Sequence, residues 1–359
     1  MIDELKIENF KCFQRQRLPL ADLTVLVGAN GAGKSSVMQS MLLLRQSIET
    51  PNSREIRLNG PYGLSLGTDG AICNQTLGYG KTKISLRTID NRAVLHLAPR
   101  GGSANFSTLA EYKKNPRDKV GFFAQEFYFL SAERTGPRIS QPMTSLWYSH
   151  TGIYGEYTAQ VLSNRFMKID ELRKHNSSQS SFLLQQVNAW LNSMMPGVEV
   201  KADSDTEKQV AQVMIRNGIS DDFVYSTNIG FGISYALPII VTGLVAKVGS
   251  YMLVENPEAH LHPAAQSAMG KFLAMLAKVG VRVVIETHSN HIVDGIQIYA
   301  AQNRMPQDSV LIHNFEINNW KIKITPIRYN EKYAYDKWPK GFMDQTSRDY
   351  LEYYHSIKK

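Results

Sequence analysis

Apolar and polar positions change period several times along the chain, and the changes mark its elements. Residues 4–10 alternate, with Leu5, Ile7 and a terminal Phe10 against Glu4, Lys6 and Glu8. That pattern predicts an edge or half-buried strand. Leu23-Thr24-Val25-Leu26-Val27 is a short apolar run, β-branched at three positions, and reads as a buried strand. Val37 to Ile48 is rich in Met, Leu and Gln and reads as a helix. Short strands follow at Arg54–Leu58, Lys83–Ile89 and Ala93–Leu97, the last two around Asp90-Asn91-Arg92 and antiparallel in character. Pro99–Asn115 is Gly/Ser/Asn-rich and predicts a loop, and the aromatic run Gly121–Leu130 a buried strand.

The middle of the chain turns to helical spacing, over Glu156–His175 and Phe182–Met195. Asn176–Ser181 separates the two stretches, and Pro196-Gly197 ends the second. Val198–Ala202 and Val210–Ile215 are further strand candidates. From Tyr251 the order is strand (Tyr251–Glu255), helix (Pro263–Val279), strand (Val281–Glu286) and helix (Ser289–Ala301). That alternation predicts a parallel α/β layer. Val310–Ile317 and Lys321–Ile327 read as a closing hairpin, and Trp338–Gln345 as an aromatic, irregular ending. No sustained heptad and no solenoid-length repeat is present.

The glycines after the buried strand carry the chemistry. Gly28-Ala29-Asn30-Gly31-Ala32-Gly33-Lys34-Ser35-Ser36 fits G-x-x-x-x-G-K-[ST] between a strand and a helix. Free N–H groups and the positive helix end make this an anion site. Lys34 is placed to reach β- and γ-phosphates, and the Ser35 hydroxyl to reach Mg²⁺. Three later stretches extend the pattern. Met252–Glu255 is an apolar strand ending in carboxylates, with Asn256, Pro257 and Glu258 next. A strand beside the phosphate-loop strand with Glu255 at its end can hold Mg²⁺. Glu286-Thr287-His288-Ser289 ends another strand, where His288 can hydrogen-bond a γ-phosphate oxygen. Asn228-Ile229-Gly230-Phe231-Gly232-Ile233-Ser234 precedes a helix and offers a second nest of N–H groups.

In this order the motifs resemble the ABC-type ATPase head of the SMC, RecF and OLD group. They most resemble head-only bacterial ATPases of AAA type with an uncharacterised C-terminal domain. The resemblance also rests on the opening Asn9-Phe10-Lys11-Cys12-Phe13, on Leu130–Arg138, on Glu255–Pro263 and on Trp338–Gln345. It implies an α/β P-loop NTPase head: an antiparallel β subdomain, a parallel α/β core and a helical insertion. Its implied divisions are 1–130, 131–227, 228–309 and 310–359. It implies ATP and Mg²⁺ as cofactors, held by Lys11, Asn30, Gly31, Ala32, Gly33, Lys34, Ser35 and Ser36, with Ser35 and Glu255 on the metal. It further implies a head-to-tail homodimer in which Asn228, Gly230, Gly232 and Ser234 of one copy cover the ATP of the other. Glu133-Arg134 falls where such heads place the Q-loop, although no Gln is there.

One departure bears on rate. The slot that usually carries a water-polarising Glu holds Asn256, and an amide cannot accept a proton as a carboxylate does. Hydrolysis is therefore expected to be slow, with Glu258 the nearest acid and His288 the alternative. His260 and His262 lack the helical H-E-x-x-H spacing of a zinc protease. They are expected in the loop that crosses the dimer interface.

Composition narrows the setting. The chain has 359 residues, 43% hydrophobic and 20% charged, enough for one large or two modest domains. Cys12 and Cys73 are the only cysteines, and the N-terminus has no signal-peptide pattern, which fits the cytoplasm. Ser226–Ala246 is long enough for a membrane span, but the signature reading explains it better. The net charge of +8 is uneven. Lys81, Lys83, Arg87, Arg92, Arg100, Lys113, Lys114, Arg117 and Lys119 stand against Asp90, Glu111 and Asp118. A solvated hairpin and loop is the preferred reading of 81–120, and a DNA contact the alternative.

These features lead to an ATP-dependent switch beside DNA or a separate nuclease or toxin, as in bacterial defence systems. The residues after His288 show no acidic cluster like the Toprim nuclease of OLD proteins. The competing readings are the nucleotide-binding subunit of a transporter and a non-hydrolysing scaffold.

Overall fold

The computed structural model describes residues 3–50, 55–88, 91–98, 105–113, 122, 126–145, 150–219, 221–319, 321–339 and 341–357. A six-stranded core sheet organises it. Its order is Lys321–Ile327, Val310–Asn318, Leu23–Gly28, Arg282–Glu286, Tyr251–Glu255 and Phe127–Leu130. All neighbours are parallel except the first pair, which is the expected hairpin. Both faces are covered over most of its strands, so Leu23–Gly28, Arg282–Glu286, Tyr251–Glu255 and Phe127–Leu130 read as apolar runs, whereas the edge strand Lys321–Ile327 alternates.

The two faces build two cores. Leu23, Val25, Val27, Met252 and Val254 pack under the helices Leu183–Met194, Phe231–Val245, Pro263–Lys278 and Asn290–Gln302. Leu26, Leu253 and Val284 face the other way, onto the helix Lys34–Glu49 and a second sheet. That outer sheet is antiparallel, in the order Phe13–Leu20, Asp3–Phe10, Thr82–Arg87, Arg92–Ala98, Asn105–Lys113 and Glu55–Arg57. Leu5 and Ile7 point inward, as their alternation predicts, but the strand is interior, paired on both sides. A third sheet contains Glu199–Asp205, Val210–Arg216, Val224–Tyr225 and Gln141–Pro142.

Several expectations change. Pro99–Asn115 is not simply a loop, because Asn105–Lys113 pairs with Arg92–Ala98 and Glu55–Arg57. Cross-strand partners supply what its weak composition lacks. Residues 99–104, 114 and 115 of that segment lie outside the described residues. The 156–175 helix shrinks to Thr158–Ser163 plus a 3₁₀ turn at Glu171–Arg173. Asn164 and Asp170 accept bonds from the backbone N–H two residues on and divert the chain. The aromatic strand is confined to Phe127–Leu130 among the described residues. Two long elements escaped the sequence reading, Phe13–Leu20 and the terminal helix Gln345–Ser356, as did the short Asp69–Ile72, Gln141–Pro142 and Val224–Tyr225.

The uncharged 226–246 stretch becomes the buried helix Phe231–Val245. Gly243 lets it press on its neighbour, since a Cβ there would lie 2.5 Å from Leu276. No helix among the described residues is long and apolar enough to cross a membrane.

Candidate nucleotide site

The phosphate loop is held by a close backbone approach from the core sheet and by side chains from the outer sheet. Gly28 has φ +125°, and a Cβ on it would lie 2.1 Å from the Phe315 carbonyl oxygen. A Cβ on Gly33 (φ +99°) would lie 2.6 Å from Cys12 Sγ and 2.8 Å from the Phe13 ring. Only glycine fits either position. Gly33 opens the helix Lys34–Glu49 with no side-chain cap, so no capping side chain accepts from its first-turn N–H groups. Asn30 and Gly31 are exposed and Ala32 is buried.

Lys34 is buried, and its Nζ donates to the Gly28 and Ala29 carbonyls at 2.9 Å each. Burial lowers its pKa, while Glu286 and Glu258 act in the opposite direction. Lys11 sits at φ +49° over the same helix and donates to Gln39 at 2.6 Å. Cys12 Sγ lies 3.8 Å from Ser36 Oγ.

The carboxylates converge on the C-terminal edge of the core sheet, with one correction. The strand ending in Glu255 does not neighbour the phosphate-loop strand; Arg282–Glu286 lies between them. The acid that meets Ser35 is therefore Glu286, whose Oε1 accepts from Ser35 Oγ at 3.0 Å. Its Oε2 is buried without a hydrogen-bond partner. Burial pushes this carboxyl up to about 6, with Glu255 and Glu258 adding to the rise and Ser35 and Lys34 opposing it. A buried acceptor beside a serine hydroxyl, flanked by further carboxylates, is a donor set suited to Mg²⁺.

Glu255 pairs in register with Glu286 and accepts from the Ala132 N–H at 3.0 Å; burial raises its pKa. Asn256 adopts φ +45°, and its N–H donates to the Glu286 carbonyl at 2.8 Å. Glu258 accepts from Thr287 Oγ1 and from the His288 N–H, both at 2.7 Å. The turn after one strand is thereby tied to the turn after the next. His288 is exposed and, with Gly28 and Ala29, lines a cavity of about 790 Å³. Partial desolvation of its ring and the Lys34 charge lower its pKa, with Glu258 opposing them.

Asn228 and Gly230 are exposed, and Gly230 opens the helix Phe231–Val245, again without a side-chain cap. Gly232 and Ser234 are half-buried. This segment leans on the 256–262 turn: a Cβ on Gly232 would lie 2.7 Å from the His260 carbonyl oxygen. His260 packs its ring 4.5 Å from Tyr235 and 5.3 Å from Phe231. His262 Nδ1 caps the helix Pro263–Lys278 by accepting from Ala264 N–H at 3.3 Å. The structure thus gathers Lys34, Ser35, Glu255, Glu258, Glu286 and His288, with the signature segment on the turn behind them.

Sequence reasoning quoted Glu286 without assigning it. Its signal was a lone acid at the end of Val283-Val284-Ile285. It also undervalued Arg134, which is 2% exposed and donates to four backbone carbonyls.

A phosphate loop, a parallel sheet with carboxylates at its loop end and an antiparallel second sheet define a P-loop ATPase head. The family model described as an AAA ATPase domain matches residues 1–92 and 139–293, and the chain belongs to that family. A curated relative, the OLD nuclease of Thermus scotoductus, is 24% identical over 327 residues, covering 80% of this chain. The chain spans 59% of that relative's length. Among solved structures, an SMC head bound to the C-winged helix domain of ScpA aligns with TM-score 0.55 at 11% identity, covering 91% of this chain and 98% of the other. An Smc head with an extended coiled coil, bound to the C-terminal domain of ScpA derived from Pyrococcus furiosus, aligns at 0.53 and 10%, covering 100% and 99%. The fold is that of an SMC-like ATPase head.

Proposed function

We propose that the protein is an ATP-driven dimerisation switch. Two copies close head to tail on two ATP molecules, hydrolyse them slowly, and hand the closed state to a separate effector in a bacterial DNA-related or anti-phage defence system. The observation that carries this reading is a pair of uncapped, glycine-led helix starts facing different surroundings in one chain. The one at Gly33 meets the carboxylate edge, and the one at Gly230 leans on the 256–262 turn. Each is half of an anion site, and a two-fold dimer joins the halves.

In this reading the amides of Asn30–Ser36 and Lys34 hold the phosphates, and Lys11 lies beside the nucleotide. Ser35 and Glu286 would hold Mg²⁺, with Glu255 in register beside them. When bound, the metal neutralises charge between the β- and γ-phosphate oxygens. Glu258 orients the His288 turn toward the γ-phosphate side, and Asn256 occupies the water-polarising slot. Asn228, Gly230, Gly232 and Ser234 serve the second copy's ATP. The division at 1–130, 131–227, 228–309 and 310–359 is kept as part of this proposal, as is a cytoplasmic setting.

DNA is the partner suggested by the outer sheet. Lys83, Arg87 and Arg92 share a depression of about 250 Å³ with Lys6, Arg15 and Arg17 of other strands, against Glu4 and Glu8. The alignment by strand pairing joins charges that are distant in sequence. Arg100, Lys114, Arg117, Lys119 and the side chain of Lys113 lie outside the described residues.

The test is Gly230→Asp. A carboxylate there faces the second copy's γ-phosphate and blocks closure, while ATP still binds the single copy. Sedimentation with and without ATP should show a wild-type dimer and a monomeric variant. An ATP-dependent dimer of unchanged strength in Gly230→Asp would overturn the signature assignment.

A further inference from the structure

We infer that Arg134 is a positioning residue that makes the signature helix and the carboxylate turn one body, so that engagement of a second copy is felt at the chain's own nucleotide. The inference rests on the dimer reading above. Arg134 comes from the loop after Phe127–Leu130, yet none of its four hydrogen-bonded acceptors is a carboxylate. Its Nε donates to the Tyr235 carbonyl at 3.1 Å, in the signature helix. Its Nη1 donates to the Glu255 and Ser131 carbonyls at 2.7 and 2.8 Å, and its Nη2 to the Asn256 carbonyl at 2.6 Å. The guanidinium carbon lies 5.4 Å from the centre of the Tyr235 ring.

A planar fork with fixed donor directions suits three segments held at once; a lysine ammonium presents a point charge instead. Burial lowers the Arg134 pKa to about 10, which leaves it charged at neutral pH.

Steric contacts close the same joint from both sides. A Cβ on Gly136 would lie 2.9 Å from the Phe231 ring, and one on Gly232 would lie 2.7 Å from the His260 carbonyl oxygen. The first turn of the signature helix is therefore gripped between the 131–136 loop and the 256–262 turn.

The joint continues to the phosphate loop. Asn256, held at its carbonyl by Arg134, donates its N–H to the Glu286 carbonyl at 2.8 Å. The Glu286 side chain then accepts from Ser35 at 3.0 Å. Tyr235, Arg134, Asn256, Glu286 and Ser35 thus form an unbroken path between two sites that, in the dimer, touch different ATP molecules. A path seen in coordinates becomes coupling only when perturbation shows it.

The experiment uses the full chain with Arg134→Lys, and Gly136→Ala as a second variant that pushes Phe231 without touching the arginine. Dimerisation on ATP is read by sedimentation, hydrogen exchange of amides 231–235 and 256–260 with and without ATP, and hydrolysis in a single turnover. In the wild type, ATP should protect both amide groups together. In Arg134→Lys the dimer and the protection of 231–235 should persist. ATP-linked protection of 256–260 should fall at least ~10-fold, and single-turnover rate by a similar factor, with the half-saturating ATP concentration within ~2-fold. A merely structural role would raise exchange evenly without ATP and leave the ATP-linked differences intact. Retained protection of both groups in both variants overturns the coupling alone. A wild type that stays monomeric with ATP overturns the dimer reading and the coupling together.

Discussion

Replacing Glu286 with Gln tests whether this site exchanges stability for metal binding. The folded protein holds the Glu286 proton more tightly than an ordinary carboxyl does, at about 6 against 4.5. The folded state therefore binds more protons between those values, and stability falls as pH rises through that window. The difference corresponds to ~2 kcal/mol lost by pH 8, and less than ~1 kcal/mol at pH 5. Gln keeps an oxygen for the Ser35 hydroxyl but carries no charge. Glu286→Gln should then be more stable than wild type by up to ~2 kcal/mol at pH 8, with the gap shrinking toward pH 5. Urea unfolding of the nucleotide-free protein at both pH values measures it. The same variant should lose ~10-fold or more in the Mg²⁺ dependence of ATP binding, because the buried oxygen no longer offers a full charge. A variant no more stable at pH 8, or one with the wild-type Mg²⁺ dependence, would refute the reasoning.

Three further outcomes are expected. Single-turnover hydrolysis should drop at least ~10-fold in Glu258→Gln with ATP affinity kept, and Asn256→Glu should turn over faster; rapid-quench assays decide, and a wild-type rate in Glu258→Gln would leave that residue only its hold on Thr287 and His288. Lys83, Arg87 and Arg92 changed together to Ala should weaken DNA binding for all sequences alike and flatten its salt dependence, and an absence of wild-type binding in low salt with ATP would return those charges to a solubilising role.

Motifs tied to backbone geometry were legible in the sequence. The glycines at 28 and 33 announce the phosphate loop because nothing else fits against Phe315 and Cys12. The Tyr251–Ala301 alternation announces the parallel layer for the same local reason. What escaped depends on contacts between distant segments. Strand order is set by packing, so nothing in Met252–Glu258 says that Arg282–Glu286 will intervene and bring Glu286 to Ser35. Asn105–Lys113 is a strand only because neighbours on either side complete its hydrogen bonds. Arg134 lies in the stretch the resemblance marks, but its role was not legible there, because what it reads is four carbonyls supplied by residues up to 122 positions away. The Phe13–Leu20 strand has charged residues and a proline, which suit the sheet edge it occupies.

The glycine loop is also the rivet between two plates. Phe315, from the core sheet, presses on its first glycine, and Cys12 and Phe13, from the turn of the outer sheet, press on its last. The two plates also meet across the shared core around Leu26, Leu253 and Val284, and the His313 ring nitrogen lies 2.8 Å from the Pro19 carbonyl oxygen. A phosphate chain laid along that loop would bear on contacts from both plates at once.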